Sequence, residues 1–393
     1  MSPFGRRTAV GVVTGTAVIA TALLTMMGGQ PKRAPDSTPP PITWTVSVSA
    51  ESSASVAPSA PRVSPTLQAT RPRSTHPSAV PATSAIDDMT ALIGDVRQAT
   101  AYRYGLRDSS GGSMETLKVI ANPSGGYLGV YHTNLGTAYA VRVATSSDLV
   151  TWTLRATLDS HASQPTIAPT SDGGFLVVEE ADNNRLASPS ATWLRFLHYP
   201  GLARLLSSAP DARFDAPHTL VAPIPKGGAE GTPNVYSVTL SPDLGHSIID
   251  IGFHYFKDAV VDRQAWGMLT NFRSWRARAQ PAIDAALEAL GCKGNIGDRD
   301  SLEYEGVRLN IHEGQLVRND WSAWRVFLYQ PHTGEARRLA VATHRGSRSF
   351  ANPSFSWVTL PSGKRAIAVT MFIPVAGSAP GEAGELLYYR EVH

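Results

Sequence analysis

Cysteine is all but absent from this chain. Cys292 stands alone among 393 residues, which excludes an intramolecular disulfide and any cysteine-rich zinc site. Charge is scarce as well: at 17% charged residues, Ser, Thr, Asn, Gly and Pro must supply most of the polar surface. The formal net charge is only +3, and Arg6, Arg7, Lys32, Arg33, Arg62, Arg71 and Arg73 all fall near the start of the chain. The remainder is close to neutral, so no nucleic-acid partner is expected. The spacings H-x-x-E-H and H-E-x-x-H and an EF-hand loop are all missing. No cofactor is therefore expected and no metal ligand is assigned; a structural calcium ion on a central axis is compatible with the sequence.

What is present falls into three regions. Residues 1–7 end in two arginines, and residues 8–27 carry no charge and are long enough to span a bilayer as a helix. Charge before and none within is an export pattern. The run is long for a signal peptide core and no A-x-A site follows, which favours a retained signal anchor over a cleaved peptide. Residues 28–85 are rich in Pro, Ser, Thr and Ala without periodicity. Such a segment buries too little apolar surface to offset its ordering entropy and is expected to be a disordered stalk. The domain boundaries are thus 1–27, 28–85 and a folded part over 86–393. An extracellular location follows, secreted or held to the membrane by the first helix, with a monomer expected.

The folded part opens with AIDDMTALIGDVRQA, which reads as a short helix with an acidic first turn. Beyond it a unit recurs five times: a polar residue, often beside Pro, then an apolar strand, a Gly-containing turn and a second apolar strand. The five are Met114–Tyr131, Gln164–Glu179, Thr232–Phe256, Asp300–His312 and Asn352–Phe372. Further alternating runs follow in each unit, such as TAYAVRVATS, WLRFLHYPG, QAWGMLTN, WRVFLYQ, RLAVATHRG and ELLYYREV. Units roughly 50 to 70 residues apart fit four-stranded sheets with loops. The fold class predicted is all-β, a five-bladed β-propeller. A helix over AIDAALEAL interrupts between units three and four, and Trp152 and Trp275 read as core.

In a propeller the first strand of each blade lines the channel, so the strand starts are the first place to seek chemistry. They offer Asp108 and Glu115, then Gln164, Glu230, the Asp298–Arg299–Asp300 run, and Asn352. Acids, amides and an arginine converging on one axis suit polyhydroxylated ligands, and a carboxyl pair performs acid/base work on an acetal. The five-unit pattern, the SSDLVTW turn and the AEGTPNV segment resemble the five-bladed propeller glycosidases. These are the arabinanase and xylosidase type, glycoside hydrolase family 43-like, and the fructosidase type. The resemblance covers roughly the last three hundred residues.

In the arabinanase and xylosidase type, a Glu in an EGP-like motif opening blade three is the general acid. Asp residues opening blades one and two are base and orienter. The resemblance therefore implies Glu230 as acid, with Thr232 inserted before Pro233, and Asp108 (Glu115 as its alternative on blade one) or Asp300 as the group activating water, with inversion as the outcome. Gln164, Arg299, Asn352, Glu115 and Glu313 would bind substrate, an oligo- or polysaccharide. Gln164 stands where an Asp is expected on blade two, and an amide cannot raise the acid's pKa as a carboxylate does. That departure keeps a second reading open, a non-catalytic glycan-binding propeller. Glu179, Glu180 and Asp182 read as solvent-facing or loop-holding, with one of them able to replace the missing carboxylate.

Overall fold

The computed structural model describes residues 82–392, apart from 137, 183–190, 223–227 and 242. The apolar run and almost all of the stalk segment lie outside the described residues. The stalk's last four residues do not: they begin helix α1 (Ala82–Ile93), so the boundary expected at 85/86 falls inside a helix. Ile86, Met89 and Ile93 are fully buried while Asp87 and Asp88 are exposed, an i, i+3, i+7 apolar stripe. The acids thus sit one turn later than the acidic first turn expected from sequence. A short strand follows, β1 (Ala101–Arg103).

Five antiparallel four-stranded sheets come next. Blade one is β2 (Glu115–Ala121), β3 (Tyr127–Asn134), β4 (Tyr139–Ser146) and β5 (Thr153–Asp159). Blade two is β6 (Ala162–Pro169), β7 (Phe175–Asp182), β8 (Thr192–Tyr199) and, after helix α2 (Leu202–Leu206), β9 (Ala212–Asp215). Blade three is β10 (Glu230–Thr239), β11 (Ile248–Lys257), β12 (Val261–Thr270) and β13 (Ser274–Ala279). Helix α3 (Pro281–Ala289) precedes blade four, which is β14 (Ile296–Tyr304), β15 (Val307–Gln315), β16 (Trp324–Gln330) and β17 (Glu335–Leu339). Blade five is β18 (Ala351–Thr359), β19 (Arg365–Ile373) and β20 (Gly384–Glu391), and its outermost strand is β1. The chain therefore closes its ring by pairing its N-terminal strand with its C-terminal one, Tyr102 opposite Tyr388.

The repeat predicted from sequence maps onto the first two strands of every blade. Three details differ. Strand β9 was not foreseen, β1 replaces any C-terminal fourth strand in blade five, and β17 starts at Glu335 rather than Arg338. All three are short outer-edge strands, where little burial imposes a pattern.

Each of β2, β6, β10, β14 and β18 packs on its two neighbours, so these strands ring the axis. The hydrophobic cores lie between blades rather than within them. Blades four and five share one that includes α1, blades five and one share the cluster around Trp152, and further clusters join one to two and two to three. Between blades three and four the facing is polar instead. Fully buried Asp298 of β14 accepts from Asn234 Nδ2 at 3.0 Å and from the Tyr236 hydroxyl, with His312 Nδ1 at 3.5 Å. Trp152 is a buried core residue, as read from sequence, and Trp275 packs partly buried against the core between blades two and three. Each lies over a glycine, Gly129 and Gly267, where a Cβ would come within 2.7 and 2.0 Å of the indole.

Met89 sits at the centre of the α1 contact with 0% exposure. Met89→Ala should cost about 2–5 kcal/mol by cavity formation, measured as a lowered urea midpoint with unchanged slope.

Candidate functional site at the channel mouth

Each innermost strand enters the ring through a register shift: Glu115/Lys118, Ser163/Thr166, Gly231/Asn234, Asp298/Asp300 and Ala351/Ser354. Four of the shifts place a non-glycine residue in the left-handed region: Thr116 (φ 58°), Gln164 (52°), Thr232 (54°) and Asn352 (49°). Such residues cost on the order of 1–3 kcal/mol each and persist only where their surroundings hold them.

Here the hold comes from the preceding blade. Gln164 N donates to His132 Nδ1 of β3 at 3.1 Å, and Thr232 N donates to Glu180 Oε2 of β7 at 3.1 Å. Asn352 N donates to Glu313 Oε2 of β15 at 2.6 Å, and Leu117 N donates to Glu385 Oε1 of β20 at 3.3 Å. His132, Glu180, His254 and Glu313 occupy matching positions, opposite Glu115, Ser163, Gly231 and Gly297. Gly231 is explained by this arrangement: a Cβ there would lie 1.9 Å from Glu180 Oε2.

Blade four departs from the pattern, and its Arg299 occupies the axis. Its Nη2 donates to Gln164 Oε1 across the ring at 2.7 Å, and its Nε lies 3.2 Å from Glu313 Oε1. Among the described residues neither its Nη1 nor its Nε makes a hydrogen bond. Burial lowers the guanidinium from its usual value, and Glu313, Glu180 and Glu385 oppose that shift. Around it stand half-buried Glu180 and His254, whose Nε2 is 3.8 Å from Asp262 Oδ1. Burial lowers His254 and raises Asp262 to about 7, with Glu313 adding to the latter. Burial likewise drives Glu385 well above its ordinary value, and its Oε2 has no partner. Glu115 opens β2, its Oε1 accepting from Ser113 and its Oε2 3.4 Å from His132 Nε2. Although burial opposes ionisation, His132 and Ser113 hold Glu115 below its ordinary value. With the Gln164 amide donating to Nδ1, the His132 proton belongs on Nε2, facing Glu115.

The structure thus brings Gln164, Arg299, Glu313, Asn352 and Glu115 together at one mouth. It turns the three candidate catalytic acids to other partners. Glu230 begins β10 with 1% exposure, and its Oε1 accepts from the backbone N–H of Thr219 (2.8 Å), Leu220 (2.7 Å) and Val221 (3.1 Å). Asp108 does not open an innermost strand; β2 begins at Glu115. Asp108 lies in the turn before it, bridged to Trp152 at the start of β5, and accepts from Tyr131, Arg142, Ser110 and Gly112. Burial opposes its ionisation, yet those bonds keep it below the usual range. Asp300 accepts from Lys118 Nζ (2.5 Å), Ser354 Oγ (2.6 Å) and Phe355 N (3.1 Å), tying blade four to blades one and five.

Sequence reasoning passed over His132, His254 and Glu385, whose signal was only position: second- or third-strand residues level with a strand start. Glu180 was weighed but placed toward solvent. Its neighbour Glu179 is fully buried, without a partner for either oxygen, and desolvation with Asp159 nearby drives its carboxyl far up. Among the described residues no three His, Cys, Asp or Glu side chains gather to hold a metal ion, and no helix is long and apolar enough to cross a membrane.

Asp300→Ala removes the counter-charge of a Lys118 side chain that is 14% exposed, and should cost about 3–5 kcal/mol in chemical denaturation. Asp262 titrates near 7 when folded and near 3.8 when unfolded, so the folded state holds the extra proton between those values. Its contribution to stability is present at pH 4 and lost as pH rises toward 7. Urea midpoints of wild type and Asp262→Asn at pH 4.5 and 7.5 check this: the variant should gain on wild type as pH rises.

No family model matches the chain, and no curated protein does. Among solved structures it is similar to a thermostable family-43 glycoside hydrolase, at 10% identity and TM-score 0.46, covering 74% of this chain and 93% of that one. It is also similar to an α-L-arabinofuranosidase from Lactobacillus brevis (8%, TM-score 0.45, 71% and 90%). A third is an exo-β-1,3-galactanase from Clostridium thermocellum (12%, TM-score 0.47, 74% and 63%). The five-bladed architecture itself stands on the sheet topology.

Proposed function

We propose that this chain acts on carbohydrate at the channel mouth as a glycoside hydrolase, and that Glu180 rather than Glu230 transfers the proton. The observation that carries the reading is Arg299. Its guanidinium lies on the axis between Gln164 and Glu313, with Nη1 unused and Glu180 and His254 half-buried beside it. A planar donor ringed by carboxylates offers hydrogen bonds in both senses to vicinal sugar hydroxyls, which a purely structural plug does not need. Asp108 and Asp300 have both oxygens committed to protein donors, and Glu230 is 1% exposed with its Oε1 held by three backbone amides. Glu180 spends one oxygen on Thr232 N and is the accessible acid level with Arg299. Glu115, paired with His132, is the carboxylate we assign to activating water. An exported protein acting on extracellular oligo- or polysaccharide, as a monomer, remains our reading of the N-terminal region.

A second reading has its own support. Gln164 is the acceptor that fixes Arg299, and no carboxylate takes its place on blade two. A mouth that binds glycan without cleaving it fits that arrangement.

Reducing-sugar release and affinity electrophoresis on a panel of plant and bacterial polysaccharides separate the readings. For a hydrolase, Glu180→Gln, which retains an oxygen to accept from Thr232 N, should cut turnover by about 10²–10⁴-fold while binding persists. Binding without release by wild type selects the second reading. Release that survives Glu180→Gln unchanged overturns the assignment of the acid.

A further inference from the structure

The strand directions give the propeller two faces that differ in charge. Each innermost strand starts at the mouth, so turns joining first to second and third to fourth strands lie at the opposite face. Those nine turns hold five acids against three residues of Lys and Arg. The segments that rise beside the mouth from blades four and five reverse the sign. Residues 316–325, 338–350 and 374–384 contain five arginines and two acids. The first of these segments continues from Gln315 of β15 and the second leads into Ala351 of β18, the strands that carry Glu313 and Asn352.

Among the described residues none of these five arginines forms an ion pair with a carboxylate. Arg318 Nη2 donates to the Val260 carbonyl at 2.7 Å, and Arg345 Nη1 to that of Pro380 at 3.1 Å. Arg325 Nη1 donates to the carbonyls of Ser322 (3.1 Å) and Trp324 (2.8 Å). Arg338 and Arg348 are exposed, and their guanidinium groups have no hydrogen-bond partner. The two acids are committed to other donors. Asp320 accepts from Ser322 N and Oγ, and Glu382 from Thr343 Oγ1, Ser347 Oγ and the amide of Arg345. Phe350 N donates to Trp324 O and Arg348 N to Gly377 O, which locks the three segments into one rim. Arg325 is crowded there: burial lowers its guanidinium, Arg338 and Arg348 add to the shift, and Asp320 opposes it. Like charges held together without counter-charge repel, and an anionic ligand relieves the repulsion. At the end of the rim His344 stacks on Tyr102, 4.1 Å between centroids and 30° between planes, and Tyr102 is 45% exposed. That ledge offers a flat apolar face for the C–H side of a sugar ring.

From the unpaired arginines, their locked arrangement and their continuity with the mouth, we propose that the glycan taken there is anionic. Its carboxylate, sulfate or phosphate groups are bound along the rim by Arg325, Arg338, Arg345 and Arg348. The inference rests on the carbohydrate reading of the mouth and adds the charge of the substrate to it. A guanidinium matches each of these oxyanions with two parallel N–H donors. Arg299 extends the series to the axis with its Nη1 unused. DNA carries the same charge, but its phosphodiester backbone lacks the hydroxyls that Glu180 and Glu313 beside Arg299 would accept from.

Two pairs of polymers with matched backbones test this: polygalacturonate with its methyl ester, and dextran sulfate with dextran. In titration calorimetry at low salt, one anionic member or both should bind roughly tenfold tighter than its neutral partner, a preference that shrinks as NaCl approaches about 0.3 M. The pair that shows the preference tells carboxylate from sulfate recognition. Arg338→Gln/Arg345→Gln/Arg348→Gln should remove most of the preference at an unchanged melting temperature. Arg204→Gln/Arg273→Gln, on the opposite face, should leave it intact. Equal binding of charged and neutral polymers overturns the proposal while the carbohydrate reading stands. Binding to none of the four also overturns it, and the broader polysaccharide panel then judges the carbohydrate reading separately. A preference that survives the triple variant, or a single-stranded oligodeoxynucleotide that binds as tightly as the anionic glycans, overturns it as well.

Discussion

A β-bulge at the start of an innermost strand frees a backbone N–H from its own sheet, and five such bulges crowd one axis. Those amides cannot reach bulk water, so each must find an acceptor on the neighbouring blade. His132, Glu180, Glu313 and Glu385 supply four of them. Much of the carboxylate around the channel is there first to hold the ring together. The left-handed backbone at Thr116, Gln164, Thr232 and Asn352 is the strain that this mortar stabilises. The mouth's chemistry is what remains after those obligations: the spare oxygen of Glu180, the spare nitrogen of Arg299, and the Glu115–His132 pair.

This division explains what was legible in the sequence. Pro follows the left-handed residue in Gln164-Pro165, Thr232-Pro233 and Asn352-Pro353, so three bulges announced themselves as strand starts and the repeat could be counted. The closing strand β1 was hidden because three residues carry no period, and their partners on β20 lie at the far end of the chain. At Glu230 the position was readable but the direction was not. The carboxylate turns onto the amides of residues 219–221, a segment whose path no local pattern reveals. Glu179 and Glu180 illustrate the converse. Successive strand residues face opposite sides, so one enters the packing beside Asp159 and the other meets the next blade's bulge. Sequence spacing alone does not say which of the two does so.

The same economy accounts for Asp300 and Asp108. Both sit near strand starts and both looked available, yet each is the hub of a hydrogen-bonded cluster, one between blades and one within blade one. The pair of Asp300 with Lys118 also joins blade four to blade one across the channel. One ion pair and its hydrogen bonds therefore tie three blades together.

The most direct measurement is a crystal structure of the protein with an oligosaccharide bound at the mouth. The account predicts sugar hydroxyls within hydrogen-bonding distance of Arg299 Nη1 and Glu180, with Glu230 still accepting from the amides of Thr219, Leu220 and Val221. A sugar resting on Glu230, its carboxylate released from those amides, would contradict it.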